Sequence, residues 1–269
     1  MVSDKLNSGV LMLGSLLWDN TKGRKAWREH YFGENFYPNI IDVKVPIRYG
    51  RFSQIRGCPT MVLSSEYWKE EKYGTAKFVP FKNQEFQFSE LICAARDLSS
   101  AEGSSSREFI KGGTTKWCIL TCWLNYNMEN KESFVDKWSE RYFPTLTNEL
   151  IESFKMNSED ESLINERGCL KMDWPELLTT YDVVLATQTK PRKSECCHCN
   201  YLKPNELAEQ IFSKPEYFIK NRLNGITTFD DDLIIEVLKS KDLSIFRKNA
   251  KKDGCIKSKV DTFIQSFLI

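Results

Sequence analysis

The sequence is poor in histidine and has no long apolar run. Only two histidines, His30 and His198, occur in 269 residues. Few histidines are therefore available for catalysis or metal binding. The longest apolar runs, 10–18 and 118–124, are far shorter than the roughly 20 residues that a membrane-spanning helix needs. The first residues also lack the basic and apolar regions of a secretory signal. We therefore expect a cytoplasmic protein without a membrane partner.

The cysteines do not form a disulfide framework. There are nine of them, an odd number without regular spacing, so reduced thiols are expected. Cys196 and Cys199 have the spacing of a zinc-ligand pair, with His198 between them. A tetrahedral site needs a second pair of ligands, which isolated cysteines such as Cys169 or Cys255 would have to supply. A thiol-rich loop without metal is the simpler interpretation, and no metal or cofactor is predicted.

The overall charge does not favour a polyanionic partner. The formal net charge is +1 and charged residues make up 28% of the chain, as in ordinary globular proteins. A lysine-rich stretch at 239–259 could contact phosphates. Such a stretch is more typical of a solvated helix face, and nucleic acid is not expected as a partner.

The hydrophobic pattern predicts strands followed by helices. Residues 40–48 alternate between apolar and polar side chains, which is typical of a half-buried strand. Apolar residues in 85–98 recur with helical spacing. The pattern predicts an α+β fold, with a mixed β-barrel or sheet core over 1–126 and a largely helical C-terminal extension over 127–269. Further strands are predicted at 10–17, 60–64, 76–81, 116–126 and 181–189, and further helices at 132–143, 148–154, 205–212 and 229–239.

The first predicted strand runs into a glycine. A glycine such as Gly14 allows a sharp turn at the end of a strand. Successive backbone N–H groups in such a turn, here from Gly14, Ser15 and Leu16, can hold a carboxylate or an oxyanion. A simple turn between two core segments is the alternative.

Three segments in order resemble the gamma-glutamylcyclotransferase superfamily. Leu13-Gly14-Ser15-Leu16-Leu17-Trp18 resembles its Tyr-Gly-Ser-Leu loop, and most closely the Tyr-Gly-Ser-Leu-Ile-Trp of the ChaC branch. Arg51-Phe52-Ser53, followed by Arg56-Gly57-Cys58-Pro59, resembles the Arg-Phe and His-Arg-Gly-Thr-Pro segment of that branch. Leu98-Ser99-Ser100-Ala101-Glu102-Gly103 resembles the Leu-Asp-x-x-Glu-Gly element that carries the catalytic glutamate. The resemblance covers about 10–125.

The chain departs from the family pattern at three positions. Leu13 replaces the tyrosine of the loop, no histidine precedes Arg56, and Ser99 replaces the aspartate of the glutamate element. The link between Ser53 and Arg56 is also one residue shorter than in the ChaC branch. A different substrate, or use of the fold without catalysis, would agree with these changes.

The resemblance implies a cofactor-independent cyclotransferase that releases 5-oxoproline from a small gamma-glutamyl compound. Glu102 would be the general acid and base, and Leu13, Gly14, Ser15 and Leu16 would hold the substrate. Arg51 and Arg56 would lie near a substrate carboxylate, which arginine can bind with two hydrogen bonds. The alternative is a non-catalytic binding or regulatory module on the same fold. The C-terminal extension would cap the pocket or bind a protein partner.

Overall fold

The computed structural model describes residues 5–83, 85–103, 118–142, 148–155, 160–191 and 201–269. The strands in these ranges are β1 (Lys5–Leu6), β2 (Ser8–Met12), β3 (Ile41–Val45), β4 (Ile47–Ser53), β5 (Cys58–Leu63), β6 (Gly74–Pro80), β7 (Phe86–Gln87), β8 (Cys118–Leu124) and β9 (Val183–Thr189). The α-helices are α1 (Ser15–Trp18), α2 (Lys22–Phe32), α3 (Ser65–Lys69), α4 (Phe88–Ala101), α5 (Lys131–Tyr142), α6 (Asn148–Glu152), α7 (Pro204–Ser213), α8 (Glu216–Leu223), α9 (Asp231–Lys239), α10 (Leu243–Lys252) and α11 (Lys257–Phe263).

The chain divides into two compact units, each built from separate segments. The first unit comprises Met1–Met12, Asp19–Val43 and Lys77–Lys190. The second comprises Leu13–Trp18, Lys44–Ala76 and Pro191–Ile269. Both units draw on residues from either side of position 126, where the sequence predicted a domain boundary. The division falls inside β3 and β6.

A mixed five-stranded sheet organises the first unit. Its strand order is β3-β6-β2-β9-β8. β2 is antiparallel to β6 and parallel to β9, and β9 is antiparallel to β8. Its two outer strands, β3 and β8, are not paired with each other in the described part of the chain. The core is therefore an open sheet rather than the closed barrel that the sequence left possible.

Aromatic rings between α2 and the sheet fill part of the core of the first unit. Phe32 stacks on Phe81 with ring centroids 5.5 Å apart, and Tyr31 tilts against the same ring at 5.6 Å. α4 packs against α2 and begins where the Gln87 N–H donates to the Glu90 carboxylate at 2.7 Å. This capping bond fixes the start of α4, so the helix begins three residues later than the predicted residue 85 and extends to Ala101.

A hairpin and the C-terminal helices form the second unit. β4 and β5 are antiparallel, with an irregular register between Tyr49 and Arg51, and Gly57 in the turn has φ +64°. Pro46 lies between β3 and β4, so the single strand predicted at 40–48 is two strands, because proline cannot donate to a ladder. The helices α7 to α11 all lie in this unit, whereas residues 127–190 of the predicted helical extension belong to the first unit and include β9. Phe218, Phe246 and Phe263 are fully buried in its core.

Within the ranges that the structure describes, no helix is both long and apolar enough to cross a membrane.

Candidate functional site

The Gly14 turn follows β2. This strand ends at Met12, Gly14 has φ +103°, and α1 begins at Ser15. The Leu17 N–H donates to the Gly14 carbonyl at 3.1 Å. The strand predicted at 10–17 is thus a strand followed by one helical turn, because a positive φ at Gly14 ends the extended conformation. Leu16 is buried, whereas the side chains of Leu13 and Ser15 are half-buried.

Tyr217 of α8 closes the space beside Gly14. A Cβ atom at position 14 would lie 2.3 Å from the Tyr217 Oη. The same hydroxyl accepts a hydrogen bond of 3.2 Å from the Met61 backbone N–H. Burial raises the pKa of Tyr217 to about 12, so the phenol is neutral at physiological pH. The turn is therefore packed against a protonated hydroxyl group.

Trp18 connects this turn with Arg56. Its indole N–H donates to the Asn221 side-chain oxygen at 2.6 Å. The Arg56 guanidinium carbon lies 5.3 Å from the indole centroid, and the Lys220 ammonium lies 4.8 Å from it. Two cations thus contact one ring. Tyr217 meets the same indole edge to face at 6.0 Å.

Arg51 and Arg56 lie in different parts of the hairpin. Arg51 pairs with Thr60 in the ladder, and its carbonyl accepts a hydrogen bond of 3.0 Å from the Thr60 hydroxyl. Arg56 lies in the turn, where its backbone N–H donates to the Ser53 hydroxyl oxygen at 3.3 Å. Both side chains are half-buried.

Glu102 lies at the C-terminal end of α4. Its backbone N–H donates to the Leu98 carbonyl at 3.0 Å, and Gly103 follows with φ +89°. The Glu102 side chain is only 6% exposed, and its carboxylate oxygen lies 2.6 Å from an Nη of Arg24. A carboxylate that is so deeply buried requires a charged or hydrogen-bonding partner, and Arg24 is that partner.

Arg24 is shared between two carboxylates. Its other Nη lies 3.0 Å from the Asp19 carboxylate, and its Nε donates to the Ala101 carbonyl at 3.4 Å. Arg28 supports the same segment by donating to the Asp19 carbonyl at 2.8 Å. Arg24 therefore compensates the negative charge of the buried Glu102 carboxylate.

The predicted site residues belong to different units. Glu102 lies in the first unit, and the turn residues lie in the second together with Arg51 and Arg56. Within the second unit, Trp18 brings Arg56 and the turn together. Glu90, another carboxylate of α4, is exposed and caps the start of the helix, so it has a structural role.

Sequence reasoning missed Arg24 and Tyr217. Arg24 lies in α2, and no local pattern marks an arginine as the partner of a distant glutamate. Tyr217 lies about 200 residues after Gly14. The glycine itself was the available signal, since a glycine with a positive φ often permits the close approach of another group.

Cys196, Cys199 and His198 lie outside the described residues. Of the cysteines considered for a second pair, Cys169 is buried with its Sγ 3.5 Å from that of Cys122. Among the residues that are described, no group of three histidine, cysteine, aspartate or glutamate side chains is arranged to hold a metal ion.

No family model matches the chain, and no curated protein or solved structure matches it. The relation to the gamma-glutamylcyclotransferases therefore rests on the three short segments described above, and it stays a prediction.

Proposed function

We propose that the protein is a cyclotransferase that releases 5-oxoproline from a gamma-glutamyl compound, with Glu102 as general acid and base. The observation that supports this proposal is the buried carboxylate of Glu102, which lies 2.6 Å from an Nη of Arg24. A fixed, ionised carboxylate can accept a proton without first reorganising. The cyclotransferase resemblance independently selects the same residue.

The proposed reaction is an intramolecular acyl transfer. The α-amine of the substrate attacks its own side-chain carbonyl, so that a new C–N bond closes the five-membered ring. Glu102 accepts the proton that the amine loses and then donates it to the leaving nitrogen as the gamma-glutamyl amide bond breaks. Because both reacting groups belong to one molecule, binding the substrate in a reactive conformation supplies much of the rate enhancement.

The Gly14 turn, Arg51 and Arg56 are proposed to bind the substrate. Backbone N–H groups of such a turn can bind an anion, and arginine is suited to binding a substrate carboxylate. Tyr217 adds a neutral hydroxyl group beside Gly14. Substitution of Arg51 or Arg56 by lysine is therefore expected to raise KM more than it lowers kcat.

The decisive experiment measures 5-oxoproline by mass spectrometry after incubation of the full chain with gamma-glutamyl compounds. The panel contains glutathione, gamma-glutamyl amino acids and gamma-glutamyl amines. The wild type is expected to convert at least one class of compound. Glu102→Gln should lower kcat by about 10²–10⁴-fold, because the amide cannot take up the proton.

Asp19→Asn is the matched control, because it removes the other carboxylate that Arg24 binds. If Glu102 only stabilised the fold, both variants would lose stability and activity to a similar extent. A catalytic Glu102 predicts that Asp19→Asn keeps at least tenfold more activity than Glu102→Gln. Equal release of 5-oxoproline by wild type and Glu102→Gln would remove Glu102 from its proposed role.

A non-catalytic binding module is the second candidate function. Two observations favour it: Tyr217 occupies the space beside Gly14, and Arg24 neutralises the Glu102 carboxylate. This alternative predicts no 5-oxoproline from any compound, together with an increased melting temperature of the folded chain in the presence of a gamma-glutamyl ligand. The absence of both 5-oxoproline release and a shift in melting temperature would contradict both candidates.

A further inference from the structure

Unpaired lysines cluster where α10 meets α11. We call this surface the α10–α11 corner and define it by its exposed residues Ile245, Lys248, Lys251, Lys252, Ile256, Lys257 and Lys259. None of these five lysines has an acidic partner in the described part of the chain, since the ion pairs of this region involve other cations. Those pairs are Lys239 with Glu236, Lys241 with Glu209, and Arg247 with Asp261.

The corner is continuous because the connection between the two helices is tight. Gly254 has φ +93° and donates to the Lys251 carbonyl at 3.2 Å, and the Cys255 N–H donates to the Ala250 carbonyl at 2.9 Å. Stacking of Phe246 of α10 on Phe263 of α11, with centroids 6.0 Å apart, holds the two helices together. The end of α10 and the start of α11, which carry the lysines, therefore lie next to each other in the fold.

Helix stability explains only some of these lysines. Lys251 and Lys252 end α10, where the partial negative charge of a helix C-terminus favours cations. Lys257 and Lys259 lie in the first turn of α11, where the helix N-terminus is partially positive and disfavours them. A neutral or acidic residue there would stabilise the helix more. Two of the five lysines thus oppose local stability, which indicates a role in binding an anionic partner.

Exposed aliphatic side chains accompany the charge. Ile245 is 46% exposed and Ile256 is 65% exposed, and each lies one helical turn before a lysine of the corner, Lys248 and Lys259 respectively. The neighbouring arginine, Arg247, is paired with Asp261 at 3.3 Å, and the corner itself contains no aromatic side chain. Proteins that bind single-stranded nucleic acid rely on aromatic stacking, which the corner does not offer. Exposed aliphatic side chains beside lysines suit the surface of an anionic bilayer, whereas contacts to duplex phosphates would not use them.

We propose that the α10–α11 corner binds the surface of an anionic lipid bilayer. The five lysines attract the acidic headgroups, and Ile245 and Ile256 insert at the boundary of the acyl chains. This is attachment to a surface and requires no membrane-spanning helix. It does not depend on the proposed cyclotransferase activity.

The test is sedimentation of the full chain with vesicles. One set contains only phosphatidylcholine, and the other contains about 30% phosphatidylserine to provide a negative surface potential. The protein is expected to sediment with the second set only and to dissociate as salt rises from about 0.1 M to about 1 M. The triple variant Lys248→Glu, Lys252→Glu, Lys257→Glu should lose at least tenfold in affinity.

Two further variants distinguish binding by the α10–α11 corner from an effect of the overall charge. Lys22→Glu, Lys137→Glu, Lys171→Glu changes the net charge by the same amount at exposed positions of the first unit, and it should bind within about twofold of wild type. Ile245→Ser, Ile256→Ser should weaken vesicle binding while leaving the charge unchanged. An equal loss of affinity in both triple variants would overturn the proposal, as would the retention of a duplex oligonucleotide by a chain that does not bind vesicles.

Discussion

The hydroxyl of Tyr217 lies where a side chain at position 14 would have to be. A Cβ atom on Gly14 would come within 2.3 Å of the Tyr217 Oη and within 3.1 Å of its Cζ. The backbone at Gly14 also has φ +103°, a conformation that residues with a side chain rarely adopt. Both steric reasons for glycine apply at this one position.

Gly14→Ala is expected to destabilise the chain by about 3 kcal/mol, because backbone strain and overpacking act together. Chemical denaturation monitored by circular dichroism measures the loss. Gly33→Ala is the matched control, since Gly33 has φ +82° but open space around its Cβ, and it should cost less because only backbone strain applies there. Similar losses in the two variants would show that contact with Tyr217 contributes nothing.

Arg24→Met should destabilise the first unit by about 3 kcal/mol, because it removes the cation that the buried carboxylate of Glu102 shares with the half-buried carboxylate of Asp19. Combining Arg24→Met with Glu102→Gln should recover part of this loss, so that the double variant is at least about 1 kcal/mol more stable than additivity predicts. Denaturation of the four proteins completes the cycle. Strict additivity would mean that Arg24 and Glu102 are not energetically coupled.

Asp231 should make the chain more stable as the pH falls. Burial raises the pKa of this carboxyl from 3.8 to about 6, so the folded state binds its proton more tightly than the unfolded state. The cost of keeping Asp231 ionised, about 3 kcal/mol, is fully present above about pH 6. It decreases as the pH falls through 6 and is absent below about 3.8.

The difference in unfolding free energy between wild type and Asp231→Asn, measured from pH 4 to pH 8, isolates this effect. The unfolding free energy of the variant should increase relative to that of the wild type as the pH rises. Asp232→Asn is the control, because the side chain of Asp232 is 90% exposed. A pH-independent difference for Asp231→Asn would contradict the raised pKa.

Cysteine reactivity should follow burial. Burial raises the pKa of the Cys122 thiol well above its usual value of 9, and hydrogen bonding to Cys169 adds to the effect. Because the thiolate is the reactive form, iodoacetamide should alkylate the exposed Cys93 of the native chain well before Cys122. Peptide mass spectrometry after timed quenching compares the two rates. The predicted order would be contradicted if Cys93 and Cys122 were alkylated at equal rates in the native chain and at different rates in urea.

Local patterns predicted many of the elements. The strand predicted at 76–81 is β6, the run at 116–126 contains β8, and the segment 181–189 contains β9. These segments are rich in apolar and β-branched residues, and that composition acts over a few neighbouring residues. The helix predicted at 205–212 is α7, which begins with Pro204. Proline at the first position of a helix is a local signal too.

The pairing of strands could not be predicted in the same way. β2 lies parallel to β9, although the paired residues Ser8 and Val183 are far apart in the chain. Each strand is apolar along most of its length, so its sequence does not identify the strand with which it pairs. Whether the strands close into a barrel or form an open sheet depends on all the pairings together.

The candidate site shows the same limit. The sequence alone singled out Glu102 by its resemblance to a catalytic element, and it singled out Gly14 as a turn residue, because both signals are local. Only the tertiary structure decided that Arg24 would pair with Glu102 and that Tyr217 would close the space beside Gly14. Both relationships join residues that are far apart in the chain. Such contacts form because burial removes polar groups from water, so that each of them must be paired with another group of the folded chain.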